Sequence, residues 1–157
     1  MTTPPPLPTL TDLKIDGQIA DLINNSYVRG FPILIGYVTA DHKPSLSFRG
    51  SAFVYSDTEV AVWARSMEGG IVKAMANNAN VMLVYREPNP ETGRSKAILN
   101  IRGQGRVDTS EAARRKVYDG MPQPERDSDK DFNGVPVIVA VESIDGVVPG
   151  ARLAMRR

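Results

Sequence analysis

The sequence contains no cysteine, which excludes disulfides, thiolate metal sites and cysteine nucleophiles together. That composition fits a reducing compartment, and the cytoplasm is the expected location. Histidine is almost absent too. His42 stands alone, so one chain cannot build a multi-histidine metal centre, and no metal site is expected. Neither sign of charge dominates, since 19 basic and 18 acidic residues leave a formal net charge of +1. Such a balance gives no reason to expect nucleic-acid or anionic-membrane binding. No apolar run approaches the roughly 18 residues of a membrane span. The N-terminus, MTTPPPLPTL, lacks the basic start and long apolar stretch of a signal peptide. Catalytic signatures are missing as well: there is no GxSxG, no GxxxxGK[ST] and no GxGxxG. No residue pair restricts a reaction type, so the catalytic residues and the small-molecule substrate stay open.

What is present is an ordinary globular composition, 41% apolar and 24% charged. Residues 1–10 hold four prolines and read as an extended arm, and residues 11–157 read as one domain. Thr11 or Asp12 is the expected N-cap of a helix over 11–25, with Ile15, Ile19, Leu22 and Ile23 on one face. The period then changes. Strands are expected at 31–39 (FPILIGYVT), 45–55, 59–64, 81–86, 96–107 and 135–144. Short helices are expected over 71–77 and 110–118, the second capped by Asp108 or Thr109. Residues 119–134 have room for one helical turn. Strand follows strand more often than helix follows strand, so the expected fold is mainly β: a six-stranded antiparallel barrel with peripheral helices.

Within the strand at 45–55, Leu46 and Phe48 alternate with Ser45, Ser47 and Arg49, giving one apolar and one polar face. Gly50 interrupts the alternation and marks a bulge or a close approach of backbone to something else. Gly103 and Gly105 are expected bulges in the later strand. After Trp63 comes Arg65-Ser66-Met67-Glu68-Gly69-Gly70, then the short helix with Lys73 one turn inside. Exposed N–H groups at a glycine-led helix start, with Arg65 ahead, Lys73 behind and Arg49 on the neighbouring strand, suit a phosphate. The same arginines also read as surface residues on half-exposed strands. Trp63 reads either as core or as a ring that stacks on a flat ligand. His42 reads as a solvated turn residue. Tyr55, Tyr85 and Tyr118 read as structural. The run 125–131 mixes signs and reads as a solvated loop rather than a calcium site.

The order of these segments resembles the pyridoxamine 5′-phosphate oxidase-like, FMN-binding split-barrel superfamily. The likeness runs through GYVTADHKPSLSFRGSAFVY, EVAVWARS, GGIVKAMANNANVMLVY and LNIRGQGRV, covering about residues 31–107 and extending toward Ile144. It implies a homodimer of split barrels with FMN at a shared interface, or a deazaflavin coenzyme in related members. By that resemblance the phosphate contacts fall on Ser47, Arg49, Arg65, Ser66, Gly69, Gly70 and Ile71, with Lys73 nearby. The flavin ring lies along Phe48, Arg49, Gly50 and Ser51 and along Trp63, Ala64 and Arg65, and the partner chain closes the site. The likeness does not reach the oxidase itself. Where the oxidase commonly has serine, arginine and lysine at the helix start, this chain has Gly69, Gly70 and Ile71, and the R-x-H substrate motif is missing. A flavin-dependent oxidoreductase is therefore expected, with a non-catalytic flavin store or sensor, or a deazaflavin-dependent reductase, as the alternatives. Haem is a weaker fit because His42 is the only imidazole.

Overall fold

Runs of β-branched residues with period-two burial set the architecture. The computed structural model describes residues 6–157, so half of the proline-rich arm, residues 1–5, lies outside the described residues. The elements are β1 (Thr11–Asp12), α1 (Gly17–Asn24), β2 (Ile33–Val38), β3 (Pro44–Arg49), β4 (Phe53–Ser56), β5 (Glu59–Ala64), α2 (Gly70–Asn77), β6 (Asn80–Pro88), β7 (Ser95–Val107), α3 (Glu111–Gly120), α4 (Gln123–Asp127), β8 (Val135–Val148) and β9 (Ala151–Arg156). The fold is mainly β with helices at the periphery. Among the described residues no helix is long and apolar enough to cross a membrane.

The sheet runs β1-β9-β8-β7-β6-β2-β3, and β5 adds to β8 with β4 beyond it. Long β8 is its spine, pairing antiparallel with β5 through its first half and with β9 through its second, while β7 runs along its other edge. The expected six-stranded antiparallel barrel is corrected in three ways. Residues 45–55 are two strands, because the chain turns at 50–52 to leave β2 and join β5. Residues 151–156 form a further strand. Thr11 and Asp12 do not cap α1; they pair parallel with Met155 and Arg156, and Asp16 occupies the N-cap position. Among the described residues no ladder joins β3 to β4 or β5, so the sheet stays open along that seam.

Both faces of the β5–β8 region are buried. Val60, Val62 and Ala64 enter the main core with Val135, Val137 and Val139. Ala61, Trp63 and Ile138 point the other way, under α3, against Ala113, Val117 and Met121. The α3 helix is capped by Ser110, whose hydroxyl accepts from the N–H of Ala113, rather than by Asp108 or Thr109. Helix α2 lays Ile71, Ala74 and Met75 on the main core. Gly105 is no bulge. Its missing side chain makes room for the sulfur of Met75, whereas Gly103 does sit at a register shift of the β7–β8 ladder.

A charged cluster ties the α1–β2 connection to β6. Arg29 Nη2 donates to Glu87 Oε2 at 2.7 Å, and the buried Tyr85 hydroxyl donates to the same oxygen at 2.9 Å. The Arg29 hydrogen bond holds the Glu87 carboxyl below its ordinary pKa, against burial, with Tyr85 helping. A depressed carboxyl stabilises the fold above its unfolded value, roughly 4.3 for glutamate, and that contribution is lost as pH falls through the folded value. Glu87→Gln should therefore cost about 1–2 kcal/mol at neutral pH and lessen the loss of stability below pH ~4. Urea denaturation of both proteins across that pH range checks this.

Candidate functional site

The site begins with an inverted strand. Residues paired across a ladder share a face, and β3 pairs Arg49 with Ile33, Ser47 with Ile35 and Ser45 with Tyr37. Ile33 and Ile35 are fully buried, so Ser47 and Arg49 face inward with them. Leu46 and Phe48, opposite Gly36 and Leu34, face outward and are 68% and 71% exposed. The apolar face of β3 is thus turned to the surface and the polar face to the interior. The inward polar atoms are not satisfied: Ser47 Oγ and Arg49 Nε are buried without a hydrogen-bond partner. An unmade hydrogen bond of this kind costs about 1–3 kcal/mol each. Two on one strand face, aimed the same way, mark a place built for a polar guest.

That place is the open seam. A cavity of about 310 Å³ lies there, lined by residues 47–50 from β3 and the following turn, by Trp63 and Arg65 at the end of β5, and by Glu125 of α4. Arg49 reaches across the seam, its Nη1 only loosely placed at 3.5 Å from the Trp63 carbonyl oxygen. Arg65 Nη2 stands 3.6 Å from Glu125 Oε2. Burial lowers the pKa of Arg49 and Arg65 pushes the same way, while Tyr37 and Glu125 oppose them; the guanidinium still stays charged at neutral pH. Gly50 is where backbone approaches something closely. A Cβ there would lie 2.5 Å from the Tyr27 ring and 2.6 Å from Glu125 Oε1. The arrangement offers forked cationic donors and a hydroxyl in a partly dry cleft, which is suited to a phosphate or carboxylate.

Ser47, Phe48, Arg49, Gly50, Trp63 and Arg65 line this cavity, as a group that spans the seam. The remaining residues singled out in the sequence lie around it. Ser51 is buried and its hydroxyl accepts from the Trp63 N–H at 2.9 Å, which stitches the β3–β4 turn to β5 where no ladder does. Ala64 and Ile71 are in the main core. Ser66 Oγ accepts from Glu68 N–H at 3.1 Å, and Gly69 N–H donates to the Ser66 carbonyl at 3.1 Å, so both build the turn ahead of α2. Gly70 starts α2 beside the Tyr37 hydroxyl. Lys73 is exposed on α2.

The Trp63 ring is core. It is 2% exposed, stacks on Phe132 at 5.6 Å between centroids and meets the edge of Tyr118 at 5.5 Å. Its Nε1–H donates to Asp129 Oδ2 at 2.9 Å. Burial would raise the Asp129 carboxyl, yet hydrogen bonds from Asn133 N–H, the indole and Gly134 N–H outweigh it and hold its pKa below the ordinary value. Glu125 is the cavity residue that sequence reasoning missed. Its run mixes charges and resembles a solvated loop, and nothing local links it to Arg65, 60 residues earlier.

No protein-family model and no curated protein matches the sequence. Solved structures do match the fold. General stress protein 26 from Bacillus anthracis is 16% identical, with 88% of this chain and 100% of that chain covered and a TM-score of 0.59. A Clostridium acetobutylicum protein related to general stress protein 26, of the pyridoxinephosphate oxidase family, is 10% identical over 87% of this chain and 95% of that one, with a TM-score of 0.57. A heme binding protein from Mycobacterium smegmatis is 12% identical, covering 87% of this chain and 57% of that one, with a TM-score of 0.63. The chain has the fold of the pyridoxamine phosphate oxidase-like and general stress protein 26 proteins.

Proposed function

We propose that the seam cavity holds the phosphate of FMN and that the protein is a flavin-dependent oxidoreductase working as a homodimer. The observation that carries this reading is the pair of buried, unpartnered polar groups, Ser47 Oγ and Arg49 Nε, on two residues that line one cavity with Arg65. A phosphate would take hydrogen bonds from all three and remove the cost of leaving them unmade. When bound, the flavin supplies the electron and hydride chemistry. This chain's part is to hold the phosphate with Arg49 and Arg65, to orient the ring along β3 and β5, and to exclude water at the seam.

The outer face of β3 supports the dimer. Leu34, Phe48 and Val84 line a hollow of about 480 Å³, and the exposed Leu46 lies on the same face of β3 as Phe48. Phe48 lines both this hollow and the seam cavity. A second copy docked on the outer face thereby walls the ligand site, as a shared site requires. A haem reading has less behind it. His42 sits in the β2–β3 turn with φ of 63°, at the far end of the hairpin from Arg49.

Titration of the purified protein with FMN tests the function. The expected result is saturable binding with a shifted flavin absorbance band and quenched fluorescence, much stronger than with riboflavin, which lacks the phosphate. Reduction of the bound flavin by a nicotinamide donor then separates the enzyme from a flavin store. Failure to bind FMN while binding a deazaflavin coenzyme would reassign the cofactor, and binding riboflavin as tightly as FMN would remove the phosphate from the seam.

A further inference from the structure

The cavity already holds an anion of its own. Glu125 stands on α4, a five-residue helix, and its side chain is only 16% exposed. One carboxylate oxygen faces Arg65 at 3.6 Å. The other rests against the Gly50 backbone, in space that a side chain at Gly50 would fill. The backbone under Glu125 is held from both sides. Arg126 donates to the Asp119 carbonyl at 3.0 Å and to the Met121 carbonyl, and Asp129 accepts from the Trp63 indole and from the N–H groups of Asn133 and Gly134. The carboxylate itself is held loosely. Among the described residues it has one ion pair, at the long end of the range, and it leaves Arg49 Nε and Ser47 Oγ unsatisfied. A fixed stem with a loosely held charged tip fits a group that moves aside by side-chain rotation alone.

We propose that Glu125 is an internal counter-anion, which offsets one of the two positive charges of the Arg49–Arg65 cavity in the free protein and is displaced when a phosphate group enters. The inference rests on the reading that the cavity binds a phosphate. It explains how two arginines share a partly dry cleft: part of their mutual repulsion is relieved from within the chain. It also assigns Glu125 a role in selectivity. Only a ligand whose phosphate engages Arg49 and Ser47 as well as Arg65 gains enough to expel it, so weak anions that reach Arg65 alone are screened out.

The test compares wild-type protein with Glu125→Gln, which keeps the shape and removes the charge, and with Glu125→Ala as a second variant. Thermal unfolding is followed with rising inorganic phosphate, and FMN is titrated in parallel. Both variants should respond to phosphate at roughly fivefold lower concentration than wild type, the size expected for one partly exposed charge pair. An equal, weaker or absent phosphate response in the variants overturns the proposal. The two readings fail separately. If the variants bind phosphate more tightly while neither they nor wild type binds FMN, the flavin assignment falls and the counter-anion stands. If FMN binds all three equally and the phosphate response is unchanged, the counter-anion falls and the flavin assignment stands.

Discussion

Replacing Arg49 with methionine should stabilise the free protein and weaken its affinity for phosphate ligands. Methionine replaces the apolar stem of arginine, reaches as far as its Nε position and carries no group that needs a partner. In the free chain the Arg49 guanidinium is desolvated, its Nε has no acceptor and its Nη1 contact to Trp63 is at the 3.5 Å limit. Removing a buried donor that has no acceptor recovers its desolvation cost, about 1–3 kcal/mol, and Glu125 keeps its pairing with Arg65. Because Glu125 offsets part of the cost, a gain of about 1–2 kcal/mol is expected, or roughly 2–8 °C in Tm for a chain of this size. The ligand loses charge-assisted hydrogen bonds at about 1.5–3 kcal/mol each, so FMN affinity should fall by tenfold to several hundredfold. Urea denaturation and FMN titration of one preparation read both effects. Opposite signs in the two measurements identify a residue kept for binding at a cost in stability. A loss of stability in Arg49→Met would instead make Arg49 a structural contact and remove the main support for the site.

The alternation that makes β3 unusual is legible in the sequence, and its meaning is not. Leu46 and Phe48 against Ser47 and Arg49 says that the strand has two unlike faces, and the default expectation turns the apolar one inward. The orientation is decided by a partner ten or more residues away: Ile33 and Ile35 are buried, and the ladder forces Ser47 and Arg49 to their side. Gly50 is a similar case. The broken alternation marks a close approach, but Tyr27 and Glu125, which make that approach, come from distant parts of the chain. Short elements escaped for a different reason. The six residues of β9 are held by pairing to β8 and the two of β1 by pairing to β9, and neither strand has the length or periodicity that a local pattern needs. The resemblance carried further than periodicity because it depends on the order of elements around the seam. Side-chain placement within the seam, with the Trp63 ring in the core and Glu125 in the cavity, depends on α3 packing over β5 and on the segment after it, with Glu125, Asp129 and Phe132, returning to Trp63 and Arg65, which no local signal encodes.

Leu46→Asp with Phe48→Asp should convert the proposed homodimer to a monomer without unfolding it. Both side chains lie outside the core, at 68% and 71% exposure in the single chain, so neither change disturbs packing beneath the sheet. Fully burying a leucine or phenylalanine is worth about 1.5–3 kcal/mol, and two-fold symmetry places each residue in the interface twice. Four such side chains carry roughly 6–12 kcal/mol of gross association energy, before the costs of ordering and lost rigid-body freedom. Aspartates at the same places add desolvation of charge, so dissociation should strengthen by at least about a thousandfold, the equivalent of ~4 kcal/mol. Sedimentation at micromolar concentration reads this directly, and unchanged Tm of the monomeric unit shows that the fold survives. A variant that stays dimeric would exclude this face as the interface. Leu46→Asp alone then separates assembly from direct ligand contact. Phe48 lines the seam cavity and Leu46 does not. Weaker FMN binding in Leu46→Asp must therefore come from loss of the second copy, the result a shared site requires. Unchanged binding by a Leu46→Asp monomer would mean that each chain holds its ligand unaided.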